Sequence, residues 1–378
     1  MDRSTIYATA TLVGTIVGAG MFGIPYVVAQ SGFLIGAVFL FILTIVSILL
    51  HLAYGEIAYK TPGKHRLVGY AEHYLGKYGK VIVTISLLIG FFGSLLVYII
   101  ISGEFLSELF SPLFGGSSFV YSLIFFAIGS LGVLKGLKLI EQLELVIGLL
   151  LCGIVLLIFF SGIFHLDVSN LKSINLKQFF LPYGVILWAL AGGAAVPELK
   201  EVVKGNGKSY KKAIVLGTLI PAVLYFLFMF VVVGVSGERT SPEAIQGLMG
   251  ILGREITYIG AAFGALASIT SFFVIGLALK KVFWYDYRIN KNLSWFLVCF
   301  IPLLGFLLGL REFIPIIGFL GVFLGAIESV SIILIYKKVS RIKKADLDYN
   351  LKLPKIVIFS LIVLFILGFI YQIIYYVA

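Results

Sequence analysis

Long apolar segments alternate with short polar ones along the whole 378-residue chain. Each apolar segment reaches about 18 residues or more, the length that a helix needs to cross the hydrocarbon core of a bilayer. Strands of a transmembrane barrel would be shorter and would alternate in polarity. The pattern predicts an all-α polytopic membrane protein with eleven transmembrane helices and no inserted soluble domain. The predicted spans lie near residues 6–30, 33–59, 80–109, 118–136, 140–163, 176–199, 212–236, 253–282, 293–310, 313–337 and 355–376.

The composition agrees with this pattern, because 60% of the residues are hydrophobic and only 12% are charged. The mean hydropathy of +1.10 excludes a water-soluble domain. Both cysteines, Cys152 and Cys299, lie within apolar segments, so they indicate neither a disulfide framework nor a metal site. The first apolar segment is long, rich in glycine and without a convincing cleavage site, so we expect it to be retained.

Lysine and arginine are concentrated in alternate connections between the predicted spans. If the N-terminus is cytoplasmic, the inner connections contain all 29 basic residues except Lys172, Lys177, Arg239, Arg254 and Arg311. This asymmetry follows the positive-inside rule. It predicts a protein of the cell (inner) membrane with its N-terminus in the cytoplasm and, since the number of spans is odd, its C-terminus outside. The net charge of +11 then reflects basic loops rather than binding to nucleic acid.

Two predicted spans, the first and the sixth, are interrupted by glycine and proline at matching positions. A glycine precedes a proline by five residues in each, Gly20 before Pro25 and Gly192 before Pro197. Unwound backbone inside a bilayer exposes N–H and C=O groups that lipid cannot satisfy, and paired interruptions indicate a transporter's substrate site. The two spans run in opposite directions, which predicts two inverted repeats. The predicted units are residues 1–165 and 166–340, followed by a cytoplasmic linker and an eleventh helix at 341–378.

Several motifs resemble those of a known superfamily. Thr15–Pro25 resembles the first-helix signature of the amino acid–polyamine–organocation superfamily, whose members have a LeuT-type fold. Trp188–Glu201 is similar to the sixth-helix pattern of the same superfamily. Thr270–Leu279 resembles the eighth helix of tryptophan/tyrosine permeases, and Tyr98 followed by Ser102-Gly103-Glu104 resembles amino acid/auxin permeases. The resemblance implies a LeuT-type 5+5 inverted repeat with one additional C-terminal helix.

The resemblance and the two breaks imply where an amino acid would bind. In the first break, N–H groups at the positive end of a half-helix favour a carboxylate. In the second break, released carbonyl groups accept an α-ammonium group, and the small uncharged residues leave room for a neutral side chain. The alternative is that both breaks are ordinary kinks and packing notches. The predicted substrate-binding residues are Val17, Gly18, Ala19, Gly20, Tyr98, Trp188, Ala189, Ala191, Gly192, Gly193 and Ala194.

A cation site is implied by the same resemblance. In LeuT-type sodium symporters, sodium lies between carbonyls of the first break and three groups of the eighth span. This chain has Ala267, Thr270 and Ser271 at the matching spacing, on one helix face. The matching carbonyls are those of Gly14 and Val17. Two alternatives stay open: the hydroxyls bond to their own helix, or the coupling ion is H⁺, as the similarity to the aromatic permeases suggests.

Acidic residues within the apolar spans are costly and usually functional. We expect Glu56 and Glu198, near the inner ends of their spans, to form gating ion pairs with lysines of the loops. Glu104 is a candidate for an outer gate or a proton relay. The sequence indicates no role for Glu328.

These observations predict an ion-coupled symporter that imports neutral amino acids, including aromatic or other large apolar ones, by alternating access. The alternative is an amino-acid-sensing receptor subunit of the same fold that does not transport. The four histidines form no HExxH motif and there is no Walker motif, so we predict neither an enzyme nor direct use of ATP. The predicted partners are the amino acid substrate and the lipid bilayer, with no organic cofactor and no obligate protein partner.

Overall fold

A computed structural model of the chain describes residues 2–63, 65–136, 140–342 and 348–377. Every regular element in these residues is helical, which confirms the predicted all-α class. Residues 343–347 of the predicted cytoplasmic linker lie outside the described residues. The helices are α1 (Arg3–Ile16), α2 (Gly20–Ser31), α3 (Phe33–Lys60), α4 (Leu67–Phe114), α5 (Ser118–Lys135), α6 (Ile140–Gly162), α7 (Leu181–Ala189), α8 (Val196–Val202), α9 (Gly207–Ser236), α10 (Met249–Leu252), α11 (Arg254–Lys281), α12 (Lys291–Leu307), α13 (Phe313–Val339) and α14 (Lys355–Val377).

Most of these helices are long enough to cross a bilayer. Eight described helices have the required length and hydropathy, and the bent pair α1 and α2 forms a ninth span. The sixth predicted span corresponds to α7 and α8 with an irregular segment between them, and another corresponds to α12, which has 17 residues. The protein is a multi-pass membrane protein, and the count of eleven spans stays a prediction.

The helices connect two faces of the bundle. Contacts at one face, here called the N-terminal face, include that of Asp2 with Ser209 and that of the Lys200 ammonium with the carbonyl of Ala58, at 2.9 Å. At the opposite face, the N–H of Asn175 donates to the carbonyl of Ser31 at 2.9 Å. The first and sixth spans therefore run in opposite directions, as the predicted inverted arrangement requires.

Glycines bring α13 close to α7 and α4. A Cβ atom on Gly184 of α7 would lie 2.3 Å from the carbonyl oxygen of Gly318 of α13, so only glycine allows this approach. On an adjacent face of α13, Leu320 packs against Gly93 of α4 and Leu324 against Gly90. Small residues at such interfaces let membrane helices approach closely, since dispersion contacts replace the hydrophobic effect as the cause of association. This packing positions α7, and hence the second break, against α13.

Candidate substrate and cation site

The first span is broken where the sequence predicts it. Helix α1 ends at Ile16, Val17 has extended backbone angles (φ −74°, ψ 101°), and α2 begins at Gly20. The two helix axes differ in direction by 58°. Within the described residues, the N–H groups of Gly18, Ala19 and Gly20 donate no hydrogen bond. The break therefore presents three adjacent donors at the N-terminus of α2, the arrangement that favours an anionic group.

The two glycines of this break have different surroundings. Gly18 is half-buried, and a Cβ atom placed on it would meet no atom within 4 Å. Gly20 is buried, and a Cβ atom there would lie 2.9 Å from two ring carbons of Trp188. Open space at the first break therefore lies beside Gly18, whereas Gly20 is the point at which the first break packs against the second.

The sixth span is also broken at the predicted position. Helix α7 ends at Ala189, residues 190–192 are irregular, and a short 3₁₀ turn at Gly193–Ala195 leads into α8. The carbonyl of Trp188 accepts the N–H of Ala191 at 3.1 Å, so it remains within a turn. The carbonyl of Ala191 accepts no hydrogen bond within the described residues. Of the predicted acceptors in this break, Ala191 is the one whose carbonyl group is most available.

The side chains of the second break divide between packing and open space. A Cβ atom on Gly192 would lie 2.5 Å from Cγ1 of Ile16, so this glycine joins the two breaks. At Gly193 the nearest atom is Cδ1 of Tyr54, at 3.9 Å, and Ala194 is exposed. Residues 193 and 194 therefore border open space, whereas Gly192 is packed against Ile16; the predicted role of all three in substrate binding stays a prediction.

Tyr225 of α9 connects the two breaks, although the sequence reasoning did not identify it. Its hydroxyl lies 2.7 Å from the carbonyl oxygen of Ile16 and 3.1 Å from that of Ala189, and the side chain is fully buried. Both carbonyls belong to the last turn of a half-helix, where no intrahelical N–H is available. The signal in the sequence is weak: a tyrosine within an apolar span needs a partner for its hydroxyl, but nothing indicates which one.

An exposed ion pair joins the segment before α4 to the second break. Arg66, just before α4, pairs with Glu198 of α8 and also donates to the carbonyl of Ala194 at 3.2 Å. Glu198 thus has an ion-pair partner near the inner end of its span, and this partner is Arg66 rather than a lysine. Both side chains are more than half exposed, so the pair contributes little to stability. The predicted role of Glu198 in gating stays a prediction.

Glu56 is buried at the N-terminal face and holds the segment that follows α13. One carboxylate oxygen lies 2.6 Å from Nζ of Lys60, on the same helix, and the other accepts the N–H of Leu351 at 2.6 Å. The hydroxyl of Tyr349 donates to the carbonyl of Leu52 at 2.8 Å. Burial raises the pKa of Tyr349 well above its ordinary value. These contacts anchor residues 349–351 on α3, whereas the predicted role of Glu56 in gating stays a prediction.

Glu104 and Tyr98 lie further along α4. Glu104 is exposed and lines a polar cavity of about 90 Å³ together with Glu108 and Glu243. This cavity lies toward the opposite face, consistent with the predicted outer location. Tyr98 is buried, five residues beyond the contact of Gly93 with α13. The predicted roles of Glu104 and Tyr98 stay predictions.

The proposed sodium ligands are divided between two helices. Ala267 and Thr270 of α11 are buried and Ser271 is half-buried. The hydroxyl of Thr270 donates to carbonyls of its own helix, to Ala267 at 2.9 Å and Leu266 at 3.2 Å, which is the alternative that the sequence left open. Gly14 of α1 packs against Gly148 of α6: a Cβ on Gly148 would lie 2.9 Å from its Cα. Helix α1 packs mainly on α9 and α6, whereas α11 packs mainly on α4 and α6.

Comparison with known proteins identifies the family. Residues 1–373 match the model of the tryptophan/tyrosine permease family. The chain belongs to this family. It is 24% identical over 323 residues to glutamine transporter 2 of Aliivibrio fischeri, covering 83% of each chain. It is 26% identical over 347 residues to tyrosine-specific transport system 1 of Haemophilus influenzae, covering 84% of each chain.

Solved structures show the fold of this permease. Mhp1, a nucleobase-cation-symport-1 family transporter, superimposes with a TM-score of 0.66 at 14% identity, covering 98% of this chain and 89% of Mhp1. MhsT in complex with L-phenylalanine superimposes with a TM-score of 0.65 at 17% identity, covering 99% and 98%. The predicted LeuT-type fold is confirmed, and the protein is a transporter rather than an enzyme.

Proposed function

We propose that this permease is a secondary active transporter that imports neutral amino acids by alternating access. The observation that supports it best is the pair of complementary backbone groups at the breaks. Three N–H donors at Gly18–Gly20 suit a carboxylate, and the carbonyl of Ala191 suits an ammonium group. Residues 14–25 and 188–197 contain no charged side chain. A zwitterion can then be bound by backbone alone, without the cost of burying an ionised side chain.

The substrate side chain is proposed to be neutral, and aromatic or otherwise large. Gly193 and Ala194 add little volume and no charge beside the open space, and Trp188 and Tyr54 provide aromatic walls. The relatives named for tyrosine and glutamine transport support a neutral side chain without distinguishing between the two. The distribution of Lys and Arg supports a cytoplasmic N-terminal face, so that the Arg66–Glu198 pair belongs to the inner gate.

Transport is proposed to be driven by a cation. The proposed sodium ligands are the carbonyls of Gly14 and Val17 with the oxygens of Ala267, Thr270 and Ser271. The extended backbone at Val17 supports this assignment, because its geometry turns carbonyl groups away from the helix ladder. Coupling to H⁺ is the alternative, and the half-helix geometry by itself does not favour either ion. The likeness to LeuT-fold neighbours supports ion coupling in general.

Two measurements on the purified full-length protein test this function. A thermal-shift screen of the twenty amino acids, with and without sodium, should show stabilisation by a few neutral ones, since a ligand that binds only the folded state raises its melting temperature. Uptake of the same labelled amino acid into proteoliposomes should then require an ion gradient. Binding without uptake would favour the sensor alternative, and stabilisation by none of the twenty would contradict the proposed function.

A further inference from the structure

Glu328 is an acidic residue in the interior of α13, and the sequence assigns it no role. Its side chain is half-buried, and α13 is otherwise apolar over Phe313–Ala326. Within the described residues it forms no ion pair. An acidic side chain inside a membrane span normally faces a water-filled cavity or a functional partner, because exposure to hydrocarbon is costly. The residues packed around Glu328 therefore indicate its role.

The helix face on which Glu328 lies is fixed by glycines. Gly321 and Gly325 pack against Trp188 and Leu187 at the end of α7. Residues 321, 325 and 328 share one face of a helix, because they are spaced by four and three positions. Glu328 is one turn further along that face, beyond the end of α7 at Ala189. It therefore lies at the level at which the chain of the second break unwinds.

Tyr54 of α3 borders the space beside the second break. Its ring is the nearest neighbour of Gly193, with Cδ1 3.9 Å from the position of a Cβ atom there. Glu328 lies within electrostatic range of Tyr54, because α13 packs against α3. Tyr54 thus borders the space beside Gly193, and Glu328 lies within electrostatic range of the same ring.

Helix α4 contributes an unpartnered polar group at this level. Leu320 packs on Gly93 and Leu324 on Gly90. The same antiparallel register, continued by one turn, places Ser86 of α4 opposite Glu328. Ser86 is fully buried, and its hydroxyl has no hydrogen-bond partner within the described residues. A buried hydroxyl without a partner is uncommon and calls for an explanation such as a proton, a water molecule or a ligand group.

Other charged groups near α13 do not neutralise this carboxylate. Helices α2 and α7 contain no acidic or basic residue, and α14 has only Lys355 at its first position. On α3, His51 faces away, with its Nδ1 3.0 Å from the hydroxyl of Thr218 on α9, and Glu56 pairs with Lys60. The other titratable groups near this space are those within electrostatic range of Tyr54.

Those groups come from the start of α4 and from α9, whose Tyr210 also lies within electrostatic range of Tyr54. Tyr70 packs against Tyr54 with ring centroids 5.9 Å apart, and Arg66 interacts electrostatically with Tyr54. Arg66 is paired with Glu198, so its charge is already balanced at the exposed end of the cavity. Glu328 therefore lacks a dedicated counter-ion within the described residues.

We propose that Glu328 is a proton-binding carboxylate in the wall of the substrate cavity, with Tyr54 and Ser86 beside it, and that it takes up a proton when a neutral amino acid binds. The inference rests on the proposed function. An apolar side chain that fills the space beside Gly193 removes water from the carboxylate, and the carboxylate is then more stable as the neutral acid. The proton comes from water on the side to which the cavity is open and returns to water when the substrate leaves.

Proton and substrate binding are then linked, and each strengthens the other by the same factor. If one proton is taken up, the dissociation constant of the substrate should rise about tenfold per pH unit over the range in which the empty site is ionised. Glu328→Gln imitates the neutral acid in shape and charge. It should bind substrate tightly and nearly independently of pH.

The experiment measures the affinity of purified full-length protein for L-phenylalanine and for L-glutamine between about pH 5 and pH 9 at fixed sodium concentration. Glu328→Gln should reduce the pH dependence to less than about twofold across the range. Glu72→Gln, which removes an exposed carboxylate paired with Lys80 at 3.0 Å, is the matched control and should keep the wild-type slope. A Glu328→Gln protein with the wild-type slope would overturn the proposal. Loss of the slope in Glu104→Gln instead would assign the proton to the other cavity and overturn it too.

A second measurement does not depend on a variant that folds. Addition of L-phenylalanine or L-glutamine to the wild-type protein in weakly buffered solution should make the solution more alkaline, by about one proton per bound amino acid at the pH of steepest dependence. Binding without proton uptake at any pH would contradict the role of Glu328 while leaving the proposed function intact. Absence of binding at every pH, for all twenty amino acids, would contradict the proposed function itself.

Discussion

The hydroxyl of Tyr225 lies 2.7 Å from the main-chain oxygen of Ile16, at the point where the first span breaks. The same hydroxyl lies 3.1 Å from the main-chain oxygen of Ala189, at the second break. A hydroxyl has one hydrogen to donate, so at any moment it satisfies one carbonyl and leaves the other available. The side chain of Tyr225, on α9, thus joins the ends of α1 and α7. A change at Tyr225 should therefore affect both breaks.

Tyr225→Phe should therefore loosen both breaks without changing the shape of the core. Removal of the donor leaves a buried carbonyl unsatisfied, which costs about 1–3 kcal/mol. We expect a lower melting temperature and weaker amino acid binding, both measured by thermal shift. Tyr183→Phe is the matched control, because the buried hydroxyl of Tyr183 has no partner within the described residues. If both variants lose the same stability, the contacts of Tyr225 do not hold the breaks.

Alanine substitutions at the first break should separate binding from packing. Gly18→Ala adds a Cβ atom that meets nothing within 4 Å, so the protein should keep its melting temperature. Any loss of amino acid affinity in this variant then reports a ligand beside residue 18. Gly20→Ala brings a Cβ atom to 2.9 Å from the Trp188 ring and should lower stability and affinity together. Unchanged transport in a Gly20→Val protein would show that the first break does not form the site.

Larger side chains at the second break should select against large substrates. Gly193→Leu and Ala194→Phe add volume where the surrounding space is open, so the protein should fold. Competition assays should show that tyrosine and phenylalanine lose binding while alanine retains it. Equal loss for every amino acid would indicate a defect in folding or gating, and no loss would place the side-chain pocket elsewhere.

The sodium assignment can be tested by removing two hydroxyls. Thr270→Val with Ser271→Ala keeps the shape of α11 but removes two of the proposed oxygen ligands, and the remaining carbonyls do not compensate for dehydration of the ion. Substrate affinity should then no longer depend on sodium at fixed pH. The wild-type protein should show the reciprocal effect, tighter sodium binding in the presence of substrate. A wild-type protein that responds to pH alone would contradict the sodium site.

Glu56→Gln should destabilise the N-terminal face. It removes the negative charge 2.6 Å from Lys60 while keeping an acceptor for the N–H of Leu351. Removing one partner of a buried ion pair costs about 3–5 kcal/mol. We expect a lower melting temperature and faster proteolysis near residues 349–351, where the anchored segment would detach. Glu72→Gln is the control, since the exposed pair of Glu72 with Lys80 should contribute little to stability. If the two variants lose the same stability, Glu56 does not anchor residues 349–351.

Much of the fold was predictable from the sequence, because a bilayer allows few backbone arrangements. Apolar segments long enough to cross it must be helical, since no water is available to the backbone. Glycine and proline interrupt helices, so their positions in the first and sixth spans indicated breaks. Both breaks lie where they were predicted. The order and type of the elements are thus properties of local sequence in an apolar solvent.

The tertiary structure alone decided what those breaks contact. Nothing local distinguishes Gly18, beside open space, from Gly20, packed on Trp188, or shows that Tyr225 lies between two carbonyls. The level of Glu328, just beyond the end of α7, depends on glycines of α13 that pack against α7. Such contacts join residues far apart in the chain through helix packing, and packing depends on the shapes of both partners. The sequence by itself therefore determined the helices and their interruptions, whereas the assembly of the site was decided by how the helices pack.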